Sequence, residues 1–149
     1  ALRNILKDTD EQLRKKSREV TEYNKRIHTL LDDMRETLIE ADGVGLAAPQ
    51  IGLLKRIAVV DTDGNNYVEL VNPEIIAREG EYTDVEGCLS VPGVHAEVVR
   101  PKKCTVRAYD RHGKSFTLIA EDLYCRAICH ECDHLDGVLF IDKASRFCD

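Results

Sequence analysis

No stretch of this 149-residue sequence stays apolar long enough to cross a bilayer, and its opening residues carry no signal-like segment. Nothing points to export, and the expected location is the cytoplasm. A net positive charge is also missing. The 27 acidic residues against 21 basic ones leave a formal charge of -6, which argues against a nucleic-acid backbone as the main partner. The local basic runs Arg14-Lys15-Lys16 and Arg100 to Lys103 read as solvated faces. There is no internal repeat, linker or low-complexity tract. With 43% hydrophobic content and no length for a second domain, residues 1–149 are expected to form one domain around one core.

Cysteine is the residue in unusual supply, with six in the chain. A disulfide framework belongs to secreted chains, so reduced thiols are the better reading. Cys125, Cys129 and Cys132 have the Cys-x-x-x-Cys-x-x-Cys spacing that holds an iron–sulfur cluster in radical enzymes using S-adenosylmethionine. On a helix, however, positions i, i+4 and i+7 form one stripe, and free cysteine behaves as a small hydrophobe, so these three are expected to pack in the core.

Thr9 to Gln12 has the form of a capping box opening a short helix toward Ser17. Ile27, Leu30, Leu31, Met34 and Leu38 recur at helical spacing, and Asp42-Gly43 would stop that helix with Gly43 in a left-handed conformation. His28 lies within it without ligand-like neighbours and reads as a surface or interhelix residue. Ile57 to Val60 and Tyr67 to Val71 flank the turn residues Asp63 to Asn66, which predicts a hairpin. Asn72-Pro73 would interrupt the pairing before a further strand through Ile75 and Ile76, with a turn at Glu79-Gly80. Val98 and Val99 suggest another strand. Cys104 to Tyr109 and Ser115 to Ile119 predict a second hairpin, with His112 in its turn. A late helix begins at Glu121-Asp122, where acidic residues suit the N-terminal end, and stops at Gly137. No strand–helix alternation exists, so the fold class is α+β: antiparallel strands packed around a central C-terminal helix.

That late helix carries His130-Glu131-x-x-His134. Residues four apart share one helical face, so both histidines can reach a single metal ion, with Glu131 on the same turn. Leu123 and Ala127 fall near the same face and would give the ion an apolar neighbourhood. A catalytic metal needs a third protein ligand and one position left for water. A carboxylate well downstream has little room, because twelve residues follow Gly137. In the His-x-x-Gly-x-x-His extension the glycine matches at Gly137, but the last position is Phe140. The third ligand must come from earlier in the chain, where Cys88 in Glu86-Gly87-Cys88-Leu89-Ser90 is the strongest candidate.

A third segment, Gly43-Val44-Gly45-Leu46-Ala47-Ala48-Pro49-Gln50, completes the pattern. Together these three motifs resemble those of the peptide deformylases in order and approximate spacing, over nearly the whole chain. The resemblance implies a metal-dependent hydrolase that removes the N-formyl group from N-formylmethionyl nascent peptides and releases formate. It implies Cys88, His130 and His134 as ligands of Fe2+, with Zn2+, Ni2+ or Co2+ able to substitute, and Glu131 as general base and then general acid. The side-chain amide of Gln50 and the backbone N–H of Leu89 would stabilise the oxyanion. Val44 and Gly45 would pair with the substrate main chain as an added strand, and Val44, Leu123 and Ala127 would form the slot for the methionine side chain.

Arg126 points elsewhere on the helical wheel, and Asp133 would be either solvent-exposed or paired with a basic residue such as Arg100. Cys129 stands where many deformylases have Gln. Many deformylases also continue into a further helix; this sequence ends at Asp149, which leaves open the transient ribosome association such a helix would support. Three rival readings share parts of the pattern: a metallopeptidase cutting internal bonds, a closed structural zinc site, and Cys88 as a thiol nucleophile working without metal.

Overall fold

In the computed structural model, which describes residues 1–148, the helical pattern near the start becomes α1, Lys25–Ala41. Ile27, Leu30, Leu31, Met34 and Leu38 are all buried, as their spacing requires. Complete burial of Leu31 and Met34 contributes about 2 kcal/mol each. The side chain of Asn24 caps the helix by accepting the Ile27 N–H. At the other end the left-handed residue is Asp42, with φ 54°, rather than Gly43. Aspartate tolerates this conformation better than most side chains, so the stop arrives one residue earlier than the glycine suggested. The expected helix from Thr9 toward Ser17 is only a 3-10 turn over Glu11–Arg14. Its cap is Asp10, whose carboxylate accepts the Gln12 N–H at 3.0 Å; aspartate is the stronger N-cap acceptor and takes the place proposed for Thr9.

The strands are β1 (Gly45–Ala47), β2 (Ile57–Val60), β3 (Val68–Glu79), β4 (Tyr82–Cys88), β5 (Val91–Arg100), β6 (Lys103–Tyr109), β7 (Ser115–Glu121) and β8 (Ala144–Cys148). They form two antiparallel sheets, one ordered β1-β2-β3-β6-β7 and the other β4-β5-β8. Both hairpins expected from turn chemistry are present: β2 pairs with β3, and β6 with β7. Asn72-Pro73 does not end a strand. β3 runs through it with a register shift between Val71 and Glu74, and Asn72 has φ 50°. The Asn72 side chain accepts the Val20 N–H at 2.8 Å and donates to the Val20 carbonyl at 2.9 Å, so the irregularity holds the N-terminal segment.

The late helix, α2 (Asp122–Leu135), lies against β1, β2 and β7. Its first acidic residues do not cap it: Glu121 makes no side-chain cap bond, and Asp122 pairs with Lys102 at 2.5 Å. Three main apolar clusters result. One joins α1 to the first sheet, one lies between that sheet and α2, and one gathers Leu13, Val91, Ala96, Val98, Leu139 and Phe140 beneath the second sheet. Of the three cysteines expected in the core, Cys125 and Cys129 belong to the second cluster, whereas Cys132 is only partly buried and packs against it. His28 lies between α1 and the β6–β7 turn, with Nε2 2.7 Å from the Arg111 carbonyl and its ring edge-on to His112. Among the described residues no helix is long and apolar enough to cross a membrane.

Gly137 follows α2 with φ 76°, and a Cβ there would collide with the backbone carbonyl of Arg14. Because both the conformation and the space exclude a side chain, Gly137→Ala should destabilise the protein by about 2 kcal/mol or more in chemical denaturation. Gly64 also has a positive φ but nothing near its absent Cβ; substitution there should cost about 1 kcal/mol.

Candidate active site

Seven consecutive residues of α2, from Cys125 to Glu131, are buried, which is unusual for a stretch containing Arg, His and Glu. Each polar member is held for a reason. The Nε2 atoms of His130 and His134 are 3.2 Å apart, and Cys88 Sγ, at the end of β4, is 3.4 Å from His134 Nε2. The three donor atoms lie within 4.8 Å of one another. Thus β4 of one sheet and the helix packed on the other sheet bring a thiol and two imidazoles to one point.

The orientation of His130 is set from behind. Its Nδ1 lies 3.0 Å from Glu86 Oε1, so the ring donates there and turns the Nε2 lone pair toward Cys88 and His134. Glu86 also accepts from Arg100 Nε at 2.8 Å and Nη2 at 3.0 Å, and from Arg126 Nη1 at 2.6 Å. Burial works against ionisation of Glu86, but the hydrogen bonds and charges of His130 and Arg100 outweigh it and hold its carboxyl down at about 2. Arg100 in turn donates to Asp133 at 2.6 Å, the paired one of the two arrangements open for Asp133. Arg100 is only 3% exposed, so it does not belong to the solvated face assigned to the run from Arg100 to Lys103. Its guanidinium is drawn inward by two carboxylates.

Burial lowers the tendency of His134 to protonate, and the nearby His130 and Arg100 lower it further, leaving a neutral ring. Burial acts in the same direction on His130, but contact with Cys88 and the charges of Glu131 and Glu86 override it and raise His130 to about 10. A cation held among these three donor atoms would compete with a proton for that nitrogen. Two imidazoles and a thiol are a donor set that suits zinc or ferrous iron. The chain's own geometry therefore accommodates the metal that the motif implies.

Glu131 faces the opposite wall. A Cβ on Gly45 would collide with Glu131 Oε2 and come within 2.9 Å of its carboxyl carbon, so the glycine makes room for the carboxylate. Glu131 Oε1 is buried with no hydrogen-bond partner among the described residues. Desolvation is the main reason its carboxyl is pushed up to about 7.

A cavity of about 380 Å³ opens beside these groups. Val44, Gly45, Leu123 and Ala127 all line it, together with Cys88, Leu89, His130 and Glu131. The four residues expected to meet the substrate thus line one cavity. Arg126 lines it too, contrary to the helical-wheel expectation, because its long side chain bends toward Glu86 and the carbonyls of Val98 and Tyr82. Gln50 sits beside Cys88, 1% exposed, with Oε1 accepting the Ala47 N–H at 2.9 Å. Its Nε2 donates to Ser90 Oγ at 3.0 Å and points at Cys88 Sγ, 3.7 Å away. Leu89 follows Cys88 in the turn between β4 and β5, its side chain against Gly43.

Sequence reasoning passed over Glu86, Ser90 and His95, although Glu86 stands two residues before Cys88. A carboxylate near a ligating histidine is a recurrent arrangement and was the available signal. His95 lines the cavity from β5, which no spacing rule could indicate.

The Polypeptide deformylase family model matches residues 2–149. This chain belongs to the peptide deformylase family. It is 58% identical over 147 residues to the peptide deformylase of Caldicellulosiruptor bescii, covering 99% of this chain and 88% of that one. To that of Alkaliphilus metalliredigens it is 56% identical over 143 residues, covering 96% and 97%. The crystal structure of a peptide deformylase from Legionella pneumophila superposes with a TM-score of 0.94 at 46% identity, over 97% of this chain and 87% of that one. The deformylase from Thermotoga maritima gives 0.94 at 37%, over 97% and 99%. These deformylases share the α+β architecture seen here.

The desolvated carboxylate has a measurable consequence for stability. A carboxyl whose folded value of about 7 lies above the ordinary 4.5 costs stability fully above pH 7, and that cost disappears as pH falls below 4.5. In chelator-treated protein, where no cation offsets the charge, Glu131→Gln should therefore be more stable than the parent at pH 8 by on the order of 3 kcal/mol. The gap should close by pH 4.5. Urea titrations across that range check it; a constant difference would place the carboxylate in water.

Proposed function

We propose that Cys88, His130 and His134 hold one divalent metal ion, iron(II) in the working enzyme, and that Glu131 moves the protons of the reaction. The enzyme is a metallohydrolase that removes the N-formyl group from newly made polypeptides. When bound, the ion supplies Lewis acidity that makes water a competent nucleophile near neutral pH. The observation that supports this reading most directly is the Glu131 carboxylate, desolvated and without a partner at Oε1 among the described residues, beside three converging donor atoms, two of them, on Cys88 and His130, from residues that line the same cavity as Glu131.

Glu131 takes a proton as water adds to the formyl carbon, and returns one to the departing amine, so that formate and a free amino terminus leave. A carboxyl held at about 7 suits both halves of that cycle, because it accepts and releases a proton near the same pH. The tetrahedral intermediate carries an oxyanion, for which the Gln50 amide and the Leu89 N–H are the proposed donors, each contributing about 3 kcal/mol. Gln50 is held by Ala47 and Ser90, which gives it the fixed aim such a donor needs. β1 lies at the edge of its sheet, and an open edge supports the reading of Gly45 as a docking point for an extended peptide. The Val44 carbonyl already accepts the Asp61 N–H, so the pairing would involve its neighbours' groups. Ala127 and Leu123 offer the apolar slot for the methionine side chain. The activity belongs with cytoplasmic protein synthesis.

Glu131→Gln should retain the metal yet lose deformylation of formyl-Met-Ala-Ser by several orders of magnitude. Gly45→Ala should give a similar loss with metal retained, since its Cβ displaces the Glu131 carboxylate. Metal analysis alongside formate release checks both. Near-normal turnover in metal-loaded Glu131→Gln would refute the proton role.

Preparation without oxygen should give iron-containing, fast enzyme that air inactivates, because thiolate and ferrous iron are both oxidisable. Zinc exchange should leave it stable but slow. A zinc form that is at least as active and indifferent to air would overturn the iron assignment.

A further inference from the structure

The reaction leaves unused a second cluster of donor atoms on α2. The sulfurs of Cys104, Cys125 and Cys129 lie within 4.8 Å of one another, one from β6 and two from successive turns of α2. All three residues are buried: Cys104 is 1% exposed, Cys125 0% and Cys129 5%. They share an apolar cluster with Val60, Leu70, Val106, Ala120 and Ile128. Cys125 Sγ donates to the Pro101 carbonyl at 3.4 Å, which fixes the first turn of the helix over the end of β5 and the start of β6. The sequence spacing had grouped Cys125 and Cys129 with Cys132. The fold replaces Cys132 with Cys104, which lies 21 positions before Cys125 and could not be matched by any local pattern.

The donor set is sulfur alone. Among the described residues no carboxylate or imidazole joins the three thiols within the same distance. Three atoms no more than 4.8 Å apart share a central point about 2.8 Å or less from each, so a small inward movement reaches the thiolate–ion distance of about 2.3 Å. Only soft, thiophilic species bind such a set well. Charge then selects among them. A divalent ion held by three thiolates would leave one net negative charge in an apolar core, which is costly. A trivalent centre leaves none.

We infer that Cys104, Cys125 and Cys129 form a binding site for a trivalent thiophilic metalloid, with arsenite as its simplest occupant. Arsenous acid exchanges three hydroxyls for three thiols: three As–O and three S–H bonds break, three As–S bonds form, and three water molecules leave. The oxidation state does not change, and both the entering molecule and the adduct are neutral. The adduct ties β6 to the helix that bears His130 and His134, so it should stabilise the folded protein as any native-state ligand does.

The metal-loaded enzyme incubated with sodium arsenite and excess glutathione should show, by native mass spectrometry, one added arsenic and three lost hydrogens, with a raised Tm. Glutathione removes arsenic from isolated thiols but not from a preformed three-thiol site. Cys104→Ala and Cys125→Ala should each abolish the adduct, whereas Cys132→Ala and Cys148→Ala should keep it. X-ray absorption at the arsenic edge provides a reading independent of any variant and should count three sulfur neighbours. An adduct with two sulfur neighbours, one that survives Cys104→Ala or Cys125→Ala, or none formed by the folded protein would overturn the inference.

Discussion

One buried carboxylate connects the parts of this protein that have to meet. Glu86, on β4, receives hydrogen bonds from Arg100 at the end of β5, from Arg126 on α2 and from His130. These contacts clamp the three-stranded sheet onto the helix that packs against the five-stranded sheet. Removing one member of such a network leaves charges buried without partners, at a cost of roughly 3–5 kcal/mol. The same carboxylate fixes the tautomer and aim of His130, so the connection between sheets and the preparation of the proposed ligand are one interaction. Two arginines against Glu86 and Asp133 keep the group near charge balance, which is what allows it to be buried at all.

The two carboxylates near the proposed ligands are driven in opposite directions by their surroundings. Glu86 has donors on both oxygens and stays ionised down to about 2, whereas Glu131 has one oxygen without a partner among the described residues and is pushed up to about 7. Environment therefore holds one as a fixed negative charge and leaves the other able to gain or lose a proton near neutral pH, the property its proposed role needs. Gly45 is part of that division. By lacking a side chain it lets the Glu131 carboxyl press against β1, in a place closed to other donors.

Several elements could be read from residue spacing because their causes are local. The apolar period of α1, the turn chemistry between β2 and β3 and between β6 and β7, and the face shared by His130 and His134 all lie within a few residues. Readings failed where a competing interaction came from elsewhere. Asn72-Pro73 bends β3 instead of ending it, because the Asn72 side chain finds Val20 across the chain. Arg100 looked like part of a basic surface run until two distant carboxylates claimed it. Arg126 reached the cavity wall because a long side chain need not follow its Cβ direction.

By itself, the sequence determined the family, the α+β class and the His-Glu-x-x-His face, and it nominated Cys88 as the histidines' partner, since each follows from motif, period or residue chemistry. Tertiary structure alone decided that Cys88 meets the histidines, that Glu86 stands behind His130, that Gly45 yields space to Glu131, and that Cys104 displaces Cys132 from the buried thiol cluster. Each of these joins residues far apart in the chain. No periodicity reports such a meeting, because it depends on how sheets and helix settle against one another to satisfy buried charge and fill apolar space.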